Sequence, residues 1–244
     1  MLTIKSFLFI YFVVLTSACN TPSQKAIYSK NQLIGKEHPH FYGKGFNLQK
    51  EAFNAFTKMQ KAALKEGIKI KVVSSFRSYA QQESIWKSKY VRYTKQGLSP
   101  QEAIAKIIEY STIPGTSRHH WGTDVDIVDG AVKEPSEDVL QAKFFEKDKV
   151  YSKLKKWLDK NAHSYGFYLV YTKNPKRKGF KYEPWHFSFV PISKPMLKAY
   201  LKLDIVTILQ KNKLIGSNYF TREFIEKYKT ENILDINTYL KPNN

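Results

Sequence analysis

The sequence predicts an α+β fold: a largely antiparallel sheet flanked by helices. Three observations lead there. Short segments with two-residue alternation, such as Ile68-Lys69-Ile70-Lys71-Val72, are separated by longer segments whose apolar residues recur at helical spacing. The strands alternate rather than being wholly apolar, as in an antiparallel sheet with one solvated face. A chain of 244 residues, 42% of them hydrophobic, carries enough apolar bulk for one sizeable core plus extras.

The N-terminus has the layout of a secretory signal. Lys5 is followed by an apolar run over residues 7–15 and by the small residues Thr16-Ser17-Ala18. The run is too short for a comfortable membrane span. Cys19, the only cysteine, stands directly after Ala18, so no internal disulfide is possible. Leu15-Thr16-Ser17-Ala18-Cys19 resembles a bacterial lipobox, with Thr16 at the usual leucine position and Leu15 one place further out. That pattern implies cleavage after Ala18 and lipidation of Cys19. Residues 1–18 are then a signal peptide. Residues 19–45, polar and rich in turn formers (Pro22, Gly35, Pro39, Gly43, Gly45), are a lipid-anchored tether.

The formal charge of +19, with lysine scattered along the chain, favours acidic partners: nucleic acid, an anionic membrane or an anionic wall polymer. Export excludes nucleic acid as a physiological partner. The expected location is the cell envelope of a bacterium, with the protein lipid-anchored to a membrane through Cys19. Oligomeric state has no sequence signal.

Ala52, Ala55, Phe56, Met59, Ala62 and Ala63 predict a helix over residues 48–66, stopped at Gly67. A half-exposed strand follows over residues 68–72. Ser75-Phe76-Arg77-Ser78 leads into a helix over residues 79–93. Ser99-Pro100-Gln101-Glu102 is a capping box with proline at the first helical position, and starts a helix running to about residue 110. Ile113-Pro114-Gly115 breaks it. Residues 123–128 read as a strand. Val150, Leu154, Trp157 and Leu158 mark a helix closed near Gly166, and residues 167–171 a strand. Residues 173–179 form a basic loop, and residues 186–190 a final strand. Beyond Pro191 the chain is helical, with a break at Gly216. Residues 46–203 are assigned to the main domain, and residues 204–244 to a helical C-terminal extension.

Two clusters carry chemistry. Ser117-Arg118-His119-His120-Trp121-Gly122-Thr123-Asp124-Val125-Asp126 and Glu183-Pro184-Trp185-His186 together offer two imidazoles and a carboxylate for a metal, plus a second carboxylate free to act as a base. Asp124 and Asp126, two apart on a strand, share a face and repel unless a cation or hydrogen bonds hold them. His119 and His120 are neighbours that point apart, so at most one is a ligand. In a regular strand Glu183 and His186 face opposite sides, and a bend at Pro184 is needed to turn both into one cavity. Arg77, where a strand gives way to a helix, is placed to hold a carboxylate or a developing oxyanion. The basic loop is either an attractor of anionic substrate or merely solvated. His38, His40 and His163 have no ligand pattern.

Arg77-Ser78-Tyr79-x-x-Gln82, Ser117-x-His119-x-x-Gly122-x-Asp124-x-Asp126 and Glu183-x-Trp185-His186, in that order, resemble the zinc D-alanyl-D-alanine carboxypeptidases of the VanY type. The resemblance spans residues 46–191. It implies Zn2+ held by His119, Asp126 and His186, Glu183 as general base and Arg77 stabilising the transition state. It also implies Gln82 and Ser117 holding a peptidoglycan stem peptide. Many relatives have alanine where Asp124 stands, which places an extra charge near the metal. An endopeptidase on the same zinc centre and a non-catalytic wall-binding lipoprotein are the alternative functions.

Overall fold

The computed structural model describes residues 28–242. The signal segment and Cys19 lie outside them. Among the described residues the chain forms one four-stranded antiparallel sheet in the order β1-β2-β4-β3, with eight α-helices around it. The strands are β1 (Ile70–Ser74), β2 (Asp124–Asp129), β3 (Phe167–Leu169) and β4 (His186–Phe189). The helices are α1 (Lys30–Leu33), α2 (Lys50–Lys65), α3 (Tyr79–Lys95), α4 (Pro100–Ile107), α5 (Ser152–Asn161), α6 (Val190–Tyr200), α7 (Ile205–Lys211) and α8 (Arg222–Tyr228). The α+β fold with its antiparallel sheet is thus the one expected.

Register decides what each sheet face carries. Val125 pairs with Phe187, and Phe187 with Leu169, so these three alternate positions face one side. That side is closed by Phe56, Met59 and Ala63 of α2 and by Leu154, Trp157 and Leu158 of α5, all buried. Each fully buried Phe or Met side chain contributes roughly 1.5–3 kcal/mol relative to exposure. Asp126 pairs with His186 and Asp124 with Ser188, so the opposite face of the central pair is a block of four polar side chains. All six residues of β2 are buried. The face carrying Asp124 and Asp126 is therefore not a solvated strand face.

A second apolar cluster flanks the polar face. It joins Trp86 and Tyr90 of α3, Ile104 and Ile107 of α4, Leu197 and Tyr200 of α6, and Ile205, Leu209, Ile225 and Tyr228 of α7 and α8. Residues beyond 203 are helical as expected, yet they are no appendage, because they share this core. Trp86 Nε1 donates to Ile215 O (3.0 Å), and Asn237 donates to the carbonyls of Leu169 and Val170 (2.9 Å each).

The tether assignment also needs correction. Residues 28–45 pack onto the domain, with Leu33 and Ile34 each 2% exposed. Trp121 Nε1 donates to Leu33 O (3.0 Å), and Tyr79 N to Gly35 O (2.7 Å). The apolar pair is what binds this segment. Its local signature was a capping box: Ser29 Oγ accepts from Gln32 N, and the Gln32 side chain accepts from Ser29 N, each at 3.0 Å.

Candidate metal centre and active site

His119 reaches the sheet through a 3-10 turn, Arg118–Trp121, capped by Ser117 and ended by Gly122 in the left-handed region (φ 64°). His119 Nδ1 donates to Ser75 O (2.7 Å), which leaves Nε2 turned to Asp126 Oδ2 at 3.3 Å. Asp126 follows from β2 and His186 from β4, registered opposite each other. The three residues are buried, and one donor atom from each lies within 4.8 Å of the others. Asp126 Oδ1 is buried with no hydrogen-bond partner. A buried carboxylate oxygen is costly to leave unsatisfied, so this orphan, amid two imidazoles, fits a divalent cation.

The expected bend at Pro184 is present. Residues 184–185 form a turn, His186 N donates to Glu183 O (3.2 Å), and Glu183 Oε2 lies 3.1 Å from His186 Nδ1. Burial raises the Glu183 carboxyl above its ordinary value against the opposing pull of His186. For His186, burial pulls downward. The carboxylates of Asp124, Glu183 and Asp126 outweigh it and push the ring up to about 10. Burial lowers His119, with Asp126 opposing. Asp126 is held below the carboxylate range because His119, His186 and Arg77 overcome its burial. A cation held there requires His186 Nδ1 to release its proton.

Arg77 is half-buried. Its Nη1 donates to Gln82 Oε1 (2.7 Å) and its Nη2 to Ser74 Oγ (2.8 Å). Gln82 is fully buried and spends its amide on Thr112 O (2.8 Å). Gln82 therefore aims Arg77 and is not among the residues lining the cleft, whereas Ser117 is. His120 points away from the metal donors, as expected. Its Nδ1 donates to Arg77 O (2.6 Å) and its Nε2 accepts from Gly115 N (3.1 Å). Burial drives this ring down to about 3, so it is a neutral clamp.

The cleft has a volume of about 710 Å³ and contains Arg77, Ser117, His119, Asp126, Glu183 and His186. Lys89 and Arg92 of α3 line it further along, and Lys89 Nζ donates to Ser111 Oγ. Among the described residues no carboxylate lies within 4.0 Å of the cationic groups of Arg77, Lys89 or Arg92. The basic loop does not line the cleft. Arg177 in it is a brace, donating to Asp235 O (2.9 Å), Thr172 O (3.1 Å) and Phe180 O (2.7 Å). His38, His40 and His163 are exposed and outside the metal cluster. Sequence reasoning missed Lys89, Ser111, Arg118 and Ser188. Only Ser188, two residues past His186 on a strand, had a readable signal.

Comparison with known proteins identifies a family and a shared fold. A D-alanyl-D-alanine carboxypeptidase of Enterococcus faecalis (strain ATCC 700802 / V583) is 28% identical over 132 residues, 54% of this chain and 44% of that protein. YodJ of Bacillus subtilis (strain 168) is 32% identical over 146 residues, 59% of this chain and 46% of that protein. The chain thus spans about half the length of these relatives. VanYB solved in complex with D-alanine-D-alanine shares the fold at a TM-score of 0.51 and 24% identity, over 71% of this chain and 88% of that one. A VanY D,D-pentapeptidase solved in complex with Zn(II) shares it at 0.50 and 23%, over 67% and 83%. Residues 45–192, more than half of the chain, match the family described as VanY, D-alanyl-D-alanine carboxypeptidase, and the chain belongs to that family.

Proposed function

We propose that the protein is a zinc-dependent carboxypeptidase that removes the terminal D-alanine from peptidoglycan stem peptides. The observation that carries this reading is the convergence of His119, Asp126 and His186 within 4.8 Å, with Glu183 Oε2 3.1 Å from His186 Nδ1 in one cleft. His119 Nε2, Asp126 and His186 Nδ1 would hold Zn2+, which supplies Lewis acidity and lowers the pKa of a water to about 7. Zn(II) in a VanY neighbour supports the choice of metal.

Glu183 acts as general base, taking a proton from the attacking water as it adds to the scissile carbonyl, then returning it to the leaving amine. Its raised basicity from burial suits both steps. Arg77, held by Gln82 and Ser74, donates to the oxyanion as it develops. Ser117 lines the same cleft, where it can hold the substrate.

Arg77, Lys89 and Arg92, with no carboxylate within 4.0 Å among the described residues, favour a substrate that brings a free carboxylate, as a chain terminus does, over cleavage inside a chain. Burial, then Arg92 and Arg77, lower the Lys89 ammonium, so an incoming anion gains there. The motif ending in Cys19 supports export and a lipid anchor in the cell envelope. Incubation with a defined pentapeptide ending in D-Ala-D-Ala, with and without chelator, tests the reading by mass analysis. Free D-alanine that disappears with chelator is expected. Cleavage of a C-terminally amidated peptide at an equal rate would instead establish an endopeptidase. Zinc binding with no hydrolysis would establish a binding protein.

A further inference from the structure

The two ring nitrogens of His186 have different surroundings. Nδ1 faces Glu183 Oε2 at 3.1 Å and Asp126 Oδ1 at 3.9 Å, inside the metal cluster. Nε2 faces away, 3.0 Å from Asp124 Oδ1. Asp124 is itself fixed on every side. Its Oδ1 also accepts from Arg118 Nε (3.0 Å), and its Oδ2 accepts from Ser188 Oγ (2.9 Å) and Thr123 Oγ1 (2.6 Å). Arg118 Nη2 closes the ring of bonds on Ser188 Oγ at 2.7 Å. Asp124 is 0% exposed and Arg118 5%. The guanidinium stacks over Trp121, 4.9 Å from the ring centre.

Stability alone does not account for this arrangement. A buried ion pair costs desolvation on both sides, and well-packed apolar residues of similar volume are commonly as stable or more so. What an apolar pair lacks is an acceptor of fixed position against His186 Nε2. A carboxylate with Arg118 and two hydroxyls on it is acceptor-only, so once Nδ1 gives up its proton to a cation the proton that stays on the imidazole sits on Nε2, facing Asp124. The lone pair of Nδ1 is then turned into the cluster.

We propose that Asp124, locked by Arg118, Ser188 and Thr123, is a positioning residue that sets the tautomer and orientation of His186 for metal binding. The charge that the sequence placed beside the metal is thereby neutralised by Arg118 and put to use behind a ligand. The inference rests on reading the cluster as a zinc site, and its test separates the two.

Zinc affinity of the full chain is measured by competition with a chromophoric chelator, alongside the absorption spectrum of the cobalt(II)-loaded protein and the 15N signals of His186. Arg118→Met with Asp124→Ala removes both charges together. The expected result is a thermal midpoint near that of the parent, a zinc dissociation constant raised about 10- to 100-fold, a shifted cobalt spectrum and loss of the hydrogen-bonded Nε2–H signal. Parent-like zinc affinity and an unchanged His186 tautomer would overturn the role of Asp124. If the double variant does not fold, Asp124→Asn takes its place. A several-fold loss of affinity then supports the proposal, and parent affinity overturns it. A parent protein that binds no zinc overturns the reading of the cluster itself.

Discussion

Glu183, His119 and His120 illustrate how neighbouring or similar side chains take different work from their surroundings. Glu183 lies in the cleft, 3.1 Å from His186, with its carboxyl basicity raised by burial. Glu183→Gln keeps the shape and removes the base. Zinc binding is expected to persist while kcat falls about 10²- to 10⁴-fold, the usual contribution of general acid–base catalysis. A Gln variant that turns over at the parent rate would remove Glu183 from the proton path. His119 and His120 are adjacent, yet one aims Nε2 at Asp126 and the other bonds two backbone groups. His119→Ala is expected to lose stoichiometric metal. His120→Ala is expected to keep it and to lower stability by about 2 kcal/mol, for two lost hydrogen bonds at about 1 kcal/mol each. Metal content by atomic absorption and denaturant unfolding separate the two. Loss of metal in the His120 variant alone would reverse the ligand assignment.

At the scale of elements, the site is the meeting point of a strand end, a helix start and a 3-10 turn. The backbone of Arg77 donates to His119 O (3.1 Å), and Ser78 caps α3 directly after it. The segment before residue 46 adds a third layer. Gly35 adopts φ +79°, and a Cβ there would stand 2.4 Å from His120 Nδ1. No small shift accommodates that, because His120 is held at both ring nitrogens. Gly35→Ala is therefore expected to cost about 1–3 kcal/mol through left-handed strain and displacement of His120. It should also lower kcat by moving Arg77. Equilibrium unfolding and steady-state kinetics on the same variant check both parts. A variant with parent stability would mean that the segment carrying Gly35 gives way and does not brace Arg77.

For the described residues as a whole, the active-site loop is supported by the segment carrying Leu33 and by α8. Ile113 N donates to Tyr228 Oη (3.1 Å), and Thr116 Oγ1 shares a hydrogen bond with the same hydroxyl (2.9 Å), so α8 holds the loop that delivers Ser117. Gly179 packs so closely on the π-helix Lys229–Ile233 that a Cβ would stand 1.7 Å from Glu231 O. A chain ended at Leu203 is expected to be insoluble or molten, since it exposes the apolar faces of α3 and α4 that α7 and α8 cover. A chain begun at Phe46 loses Leu33 and Ile34, each worth roughly 1.5–3 kcal/mol of burial. It should melt well below one begun at Tyr28. Near-ultraviolet circular dichroism and calorimetry decide both. A cooperative, parent-like transition in either shortened chain would show that its missing part is an independent appendage.

The periodic elements and the candidate metal donors were legible without coordinates. Alternation at residues 68–72, the capping box at Ser99 and helical spacing around Phe56 are local signals, because they depend on neighbours within a turn or a pleat. The candidate cluster of His119, Asp126 and His186, with Glu183 beside it, was readable because metal-binding and proton-transfer chemistry restrict residue types. Tertiary structure alone decided what Asp124 and Gln82 do. Asp124 is neutralised by Arg118 and placed on His186, and Gln82 is spent on Arg77 and Thr112. It also decided that the turn-rich segment and the last helices belong to one folded body. Partners more than sixty residues apart, such as Asp124 with His186 or Trp86 with Ile215, are set by register and packing, which no local pattern encodes.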